Sequence, residues 1–299
     1  MATLSNKTQK IPLYARRTLG EKVNAAIDFL RQNWRVALRF SIYLLLPLSL
    51  LHSVGLFAFV RSITSDYFNS TDMGILASSL ISLLSMCLIY TLILTLFQYY
   101  QGSDDGDLSM LTFRDVKGQI WHNFKRILIV MIPIVVLLIP LLLLVIASLI
   151  LPIISMLILA GCSILAFILM MVPIHYTLED VTIGNAFSRS FGHARESWAK
   201  LFGLMLALLL VVGIIQSATA IPMLIFVFAT DNLSPSGAMN GVLKMVFDII
   251  LYLFLIIQTF FGYLSMALVI TTLVYHYGSN AREQDDLAIA SDIENFENL

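Results

Sequence analysis

Six stretches of this chain are apolar on every side of a helical projection, and the polar residues gather between them. Length and periodicity predict helices over roughly Phe40–Val60, Gly74–Tyr99, Ile127–Ser148, Ile153–Tyr176, Leu201–Ala229 and Met245–Tyr277. A soluble amphipathic helix keeps a polar face, whereas a bilayer-spanning one needs about 20 apolar residues. The longest uncharged block decides between them. The 52 residues between Arg126 and Glu179 contain no Asp, Glu, Lys or Arg. That is room for two spans joined almost without a loop, with Ser148 in the turn and Pro152 placed to start the next helix. Open sheets are excluded, because each unpaired backbone group in lipid costs several kcal/mol. The expected fold class is all-α: a polytopic membrane protein with a six-helix transmembrane domain (40–277), a basic N-terminal segment (1–39) and an acidic tail (278–299).

A second pattern precedes every odd-numbered span. Leu19, Val23, Ile27, Leu30 and Trp34 recur at three- and four-residue steps, as do Phe113, Val116, Ile120 and Phe124, and Ile183, Phe187, Phe191, Ala194 and Trp198. Each series predicts an amphipathic helix along the inner membrane surface, its apolar stripe in the headgroup region. The three tryptophans of the chain, Trp34, Trp121 and Trp198, stand at the entrances to spans one, three and five. An indole has an apolar body and one N–H, which suits the headgroup boundary. Arg39 follows Trp34, and Arg126 follows Trp121, by five residues, so each can bury its stem and reach anionic headgroups. The tryptophans are 87 and 77 residues apart. Three parallel helix-pair repeats account for this spacing, and so does the basic, amphipathic character common to inner connections of any six-span protein.

Composition sharpens this picture. The 299 residues are 59% hydrophobic and 12% charged, with mean hydropathy +0.87, where a soluble domain carries about 25% charged residues. Lys and Arg are segregated: eight lie before span one, four in the 2–3 connection, three in the 4–5 connection and one in the tail, against only Arg61 and Lys244 on the other side. By the positive-inside rule both termini are expected in the cytoplasm. The polar N-terminus lacks the layout of a cleavable signal, so the first span is expected to act as its own insertion signal. Residues 1–39 carry a net charge of about +6 and the tail about −5; the tail is expected to be frayed and solvated, with an association between the two ends, or with a basic partner, as the alternative.

Candidate chemistry is sparse. His52 lies about twelve residues into span one, after Pro47, whose missing N–H frees the Tyr43 carbonyl. It reads either as a neutral imidazole bonded to a neighbouring group or as part of a polar path. His175 and Glu179 share a helix face next to Asp180, which supplies two ligands of a metal site, where catalytic zinc uses three; the carboxylates equally suit the start of the next helix. Gly102–Asp107 ("GSDDGD") reads as a solvated acidic loop, and Lys244 with Asp248 as a pair at the outer rim. Cys87 and Cys162 fall inside spans and read as packing residues. Gly74, Ser78, Ser82 and Ser85, and likewise Gly203 and Ala207, read as small-residue packing faces, and Gln216 and Gln258 as partners between spans five and six. Asn69 and Asn232 match the glycosylation tripeptide on the outer side. No phosphate loop, HExxH or GxSxG is present, and no catalytic, cofactor or metal residues are assigned.

"AFSRSFGHARESWAKLFG" (Ala186–Gly203), with Arg189, Ser190, Phe191, Trp198 and Phe202–Gly203, resembles bacterial six-span proteins of the YciC-like type. It is also similar to the membrane domain fused to some glycerophosphoryl diester phosphodiesterases. The resemblance implies an inner amphipathic helix and aromatic gate before a span. It brings no catalysis, since the soluble phosphodiesterase domain has no counterpart here. The expected function is a non-enzymatic membrane module or accessory subunit that engages membrane lipids, a protein partner or a second copy of itself, with no role for nucleic acid. A small transporter acting as an oligomer is the alternative, resting on His52 and on the prolines Pro47, Pro133, Pro140 and Pro222. Trp34, Arg39, Trp121, Arg126, Arg189 and Trp198 are the interfacial candidates.

Overall fold

The computed structural model describes residues 10–64, 72–148, 152–233 and 241–297. These form seven helices: α1 (Leu19–Gln32), α2 (Trp34–Thr64), α3 (Asp72–Gly102), α4 (Phe113–Ser148), α5 (Pro152–Leu178), α6 (Ile183–Leu233) and α7 (Gly241–Glu297), with no strand among the described residues. Six of them carry segments long and apolar enough to cross a membrane, so the chain is an all-α multi-pass membrane protein. The tight connection expected between spans three and four is present, since α4 ends at Ser148 and α5 begins at Pro152. Asn69 lies outside the described residues, and the side chain of Asn232 is likewise not described.

The three amphipathic segments are all helical, but only the first is a helix of its own. Thr18 begins α1 with a capping box: its side chain accepts from the Glu21 N–H, while Glu21 Oε2 accepts from the Thr18 N–H at 2.7 Å. Asn33 ends it, its side-chain amide and its backbone N–H both donating to the Phe29 carbonyl at 3.0 and 3.1 Å. The other two segments run unbroken into their spans as the first turns of α4 and α6. Nothing like Asn33 interrupts them, and a continued helix keeps every backbone pair satisfied at the boundary. The tail also departs from expectation. It is helical to Glu297, as the end of the 57-residue α7. At 1.5 Å per residue α7 is about 85 Å long, roughly twice the full thickness of a bilayer.

The described chain divides into two compact units. The first (10–37, 90–208, 268–297) contains α1, the α4–α5 hairpin and the adjoining parts of the other helices. Here Phe29 of α1 stacks on Phe97 at 4.4 Å and meets Tyr100 edge-on at 5.0 Å. Lys22, Val23, Ala25, Ala26 and Phe29 are the buried face of α1. The stripe read from the sequence is thus rotated: Ile27 and Trp34 stay outside, and the helix packs on protein through Phe29. Gly278 explains how closely residues 10–18 approach α7, because a Cβ there would lie 2.5 Å from the Leu13 carbonyl oxygen. Gly203, in the small-residue face expected on span five, similarly makes room for Leu19.

The second unit (38–64, 72–89, 209–233, 241–267) has a core of Met223, Leu251 and Leu255, against which Leu56, Phe57, Val60, Phe226 and Phe254 pack. Its few polar side chains mostly bond their own helix. Ser53 donates to the Ser49 carbonyl and Thr259 to that of Leu255, both at 2.7 Å. Gln216 lies against Gly262, and Gln258 Oε1 is buried without a hydrogen bond, so the Gln216–Gln258 pair is not formed.

Candidate functional site

Two polar constellations stand out, one in each unit. The first unit holds a buried network across four helices. His175 Nδ1, in the last turn of α5, and Glu179 Oε1, just past its end, are 2.8 Å apart, and Glu179 also pairs with Arg189 of α6. A carboxylate acceptor places the His175 proton on Nδ1, so its Nε2 offers a lone pair. His193 Nδ1 lies 3.0 Å from that Nε2 and donates to it. The remaining nitrogen of His193 meets the Gln284 amide at 3.3 Å, where its lone pair calls for the amide NH2. Tyr277 stands edge-on to both imidazoles.

A second arm begins at Lys22, which is only 1% exposed. Its ammonium donates to His276 Nδ1 at 3.0 Å, which puts the His276 proton on Nε2, 3.2 Å from the Asn280 side-chain amide, where that proton calls for the amide oxygen. Burial, reinforced by Lys200, pushes the Lys22 amine down to about 8, with Glu283 opposing and Arg17 adding to the fall. Glu179 goes the other way for a carboxylate under burial. Desolvation raises it, but the hydrogen bonds and charges of His175 and Arg189 outweigh that and hold it below its ordinary value.

This network is closed. Every ring nitrogen of His175, His193 and His276 lies within 3.3 Å of another polar group among the described residues. The carboxylates that resembled part of a metal site are engaged by arginines: Glu179 by Arg189, and Asp180, in a left-handed conformation at φ 52°, by Arg126 at 2.6 Å. The network ties α1, α5, α6 and α7 together within the first unit.

The second constellation is open. His52 Nδ1 lies 2.8 Å from the Tyr263 hydroxyl, and the rings stack 6.2 Å apart. Its Nε2 makes no hydrogen bond among the described residues. The imidazole lines a cleft of about 420 Å³, within the 300–1,000 Å³ common for ligand sites. Gly55, Leu56 and Phe59 form its apolar wall, and Ser78, Ser79 and Ser82 of α3 stand opposite. The serines read from sequence as a packing face therefore have a second role. Ser78 also approaches the His52 carbonyl at 3.4 Å. Among the described residues, no Asp, Glu, Lys or Arg lines the cleft. It can take an apolar body and one or two hydrogen bonds.

Compared with protein families, curated proteins and solved structures, the chain finds no match. The site therefore rests on this geometry alone.

The interfacial candidates fall into two groups. Trp34, Trp121 and Trp198 are 53%, 57% and 65% exposed, with Arg35 over the first ring and Lys125 over the second. Arg39 is exposed as well. Arg126 turns inward instead, donating to the Tyr176 carbonyl at 2.7 Å while its guanidinium covers the Tyr176 ring. Arg189 belongs to the buried network through Glu179. Sequence reasoning missed Lys22, His193 and His276. His276 carried the same signal as His52, an ionisable side chain inside an apolar run, whereas Lys22 and His193 sit in segments whose polarity gave no hint of burial.

Proposed function

We propose that this is a non-enzymatic multi-pass protein of the bacterial inner membrane, with both termini in the cytoplasm, that engages a membrane lipid. The observation that carries the reading is the His52 cleft. It lies on segments that belong in the bilayer, its walls are apolar, and its polar atoms come from an imidazole and three serines. A molecule arriving there comes from the hydrocarbon phase, so it is an amphiphile with a chain for Leu56 and Phe59 and a hydrogen-bonding group for His52. The Lys and Arg distribution supports the orientation, and the three exposed tryptophans support interfacial placement. The resemblance of Ala186–Gly203 to YciC-like proteins points the same way, toward an accessory module that works with a protein partner or a second copy of itself.

The test is photolabelling of the whole protein in liposomes with a phospholipid carrying a diazirine in its acyl chain. Labelling should concentrate on the peptide containing Gly55 and Phe59 and fall several-fold in His52→Ala and Ser82→Trp. Even labelling over all lipid-facing helices would sink the lipid reading. Transport is the second reading, drawn from the same open imidazole, and His52-dependent uptake of a small polar solute into liposomes would put it first.

A further inference from the structure

A second cleft, in the first unit, sits where α3 ends and α4 begins. It encloses about 500 Å³ and is lined by Gln98, Tyr99, Gly102, Ser103, Asp107, Leu108, Leu111 and Gln119. Gln98 to Gly102 close one span and Gln119 lies in the first turns of the next, so the cleft is at the bilayer boundary, where lipid headgroups are.

Its floor is a complementary amide network. Gln119 donates to Gln98 Oε1 at 3.0 Å and to Asn123 Oδ1 at 3.2 Å, while Asn123 donates to Thr95 at 2.9 Å and to Gln98 Oε1 at 2.8 Å. This arrangement consumes the Gln98 oxygen and the Gln119 nitrogen. It leaves the Gln98 amide N–H groups as donors and the Gln119 carbonyl as an acceptor, neither bonded among the described residues. The rim is a tight turn. Gly106, at φ 69°, takes the Ser103 hydroxyl on its N–H and packs on Tyr100. This places Asp107 at the mouth, its carboxylate accepting from the N–H and hydroxyl of Ser109 at 2.8 and 3.0 Å. Those bonds hold the carboxyl below its ordinary value, so it is ionised at neutral pH.

Among the described residues the lining has one negative charge, no Lys or Arg, an open donor, an open acceptor and the apolar side chains of Leu108 and Leu111, and the Lys10 ammonium beside it is engaged by the Gln101 and Ser103 carbonyls at 2.8 Å. A purely anionic headgroup is repelled by Asp107. A quaternary ammonium has no N–H for Asp107 or Gln119. A primary ammonium beside a phosphodiester satisfies every group. We propose that this cleft binds the headgroup of an ethanolamine phospholipid, with its ammonium on Asp107 and Gln119 and its phosphate oxygens on the Gln98 amide.

The test is native mass spectrometry of the full chain in detergent with equal amounts of ethanolamine, choline and glycerol phospholipids of identical acyl chains. The ethanolamine lipid should be retained about tenfold over the others, the scale of one charge-assisted hydrogen bond. Asp107→Asn, at an exposed position, and Leu111→Trp, which fills the cleft without touching the amides, should each abolish that preference while elution and melting stay as in the parent. Equal retention of all three lipids, or a preference that survives Asp107→Asn, overturns the proposal. Water-soluble ethanolamine phosphate is the second arm. If it binds as tightly as the lipid, the site serves a free amine and the lipid assignment fails; if it binds far more weakly, the lipid is the occupant. Losing headgroup selectivity here would leave the His52 reading untouched, since that rests on acyl-chain labelling in the other unit.

Discussion

The two units differ in the balance by which they bury polar side chains. In the second, Ser49, Ser53 and Thr259 bond carbonyls a turn back on their own helices, and the core is Met223, Leu251 and Leu255. In the first, Lys22, His175, His193, His276 and the Gln98–Asn123 amides bond across helices. A side chain that satisfies its own helix leaves neighbouring helices free to move, whereas one that bridges helices fixes their register. The first unit is bridged by many such contacts; the second has fewer, among them His52 to Tyr263 at 2.8 Å and Tyr252 to the Leu50 carbonyl at 2.9 Å, and there one imidazole nitrogen makes no hydrogen bond among the described residues.

The sharpest way to break this contrast is in the aromatic seam of the first unit. Phe29→Ala removes the ring that Phe97 and Tyr100 grip, and should cost about 3–5 kcal/mol, read as a large fall in melting temperature in detergent. A neutral result would mean that α1 is not anchored through that seam.

Next in size, and opposite in sign, is Lys22→Met. Lys22 is a buried cation whose folded value is about 8 against an ordinary 10.5. Between these limits the unfolded chain holds the proton and the folded chain does not, so parental stability should rise with pH from about 8 to 10.5. That contribution is complete above 10.5 and is lost as pH falls through 8. The methionine variant should be more stable at neutral pH by about 1–4 kcal/mol and should lack the alkaline rise. If parent and variant keep the same pH profile, His276 does not hold a charged lysine.

Glu179→Gln should be milder, about 1 kcal/mol, because Arg189 is half-exposed and the pair is screened. Glu179 has a lowered folded value, so its contribution is present at neutral pH, above the ordinary carboxylate range. It fades as pH falls through the folded value, so parent and variant melting curves should converge in acid. Convergence at neutral pH instead would remove Glu179 from the network's supports.

The smallest effect on unfolding belongs to the tryptophans. Trp34, Trp121 and Trp198 changed together to Ala should alter melting by no more than about 0.5 kcal/mol per site, yet shift the depth of the protein in the bilayer, read by fluorescence quenching with depth-graded lipids. A large loss of stability would place these rings in packing rather than at the interface.

Legibility in the sequence followed physical scale. The spans were visible because apolar length against bilayer thickness is a one-dimensional property of the chain. The first amphipathic helix was visible in its periodicity, but its Thr18–Glu21 cap went unread and its buried face was not fixed. Periodicity marks an apolar arc, and only the neighbours, here Phe97, Tyr100 and Gly203, decide which residues of that arc turn inward. The Gln98–Gln119–Asn123 amides escaped for the same reason, since their meaning depends on two helices lying side by side. His52 was legible as an exception within a span, but its Tyr263 partner, 211 residues away, was not.

By itself, the sequence determined that this chain lives in a membrane, how many times it is able to cross, and where its three tryptophans stand along the apolar runs, because hydrophobicity and charge act on each segment separately. Tertiary structure alone decided that Lys22 meets His276, that His175, His193 and Glu179 close on one another, and that His52 meets Tyr263. Hydrogen bonds at about 3 Å depend on which helices pack together, and that information is spread across the whole chain.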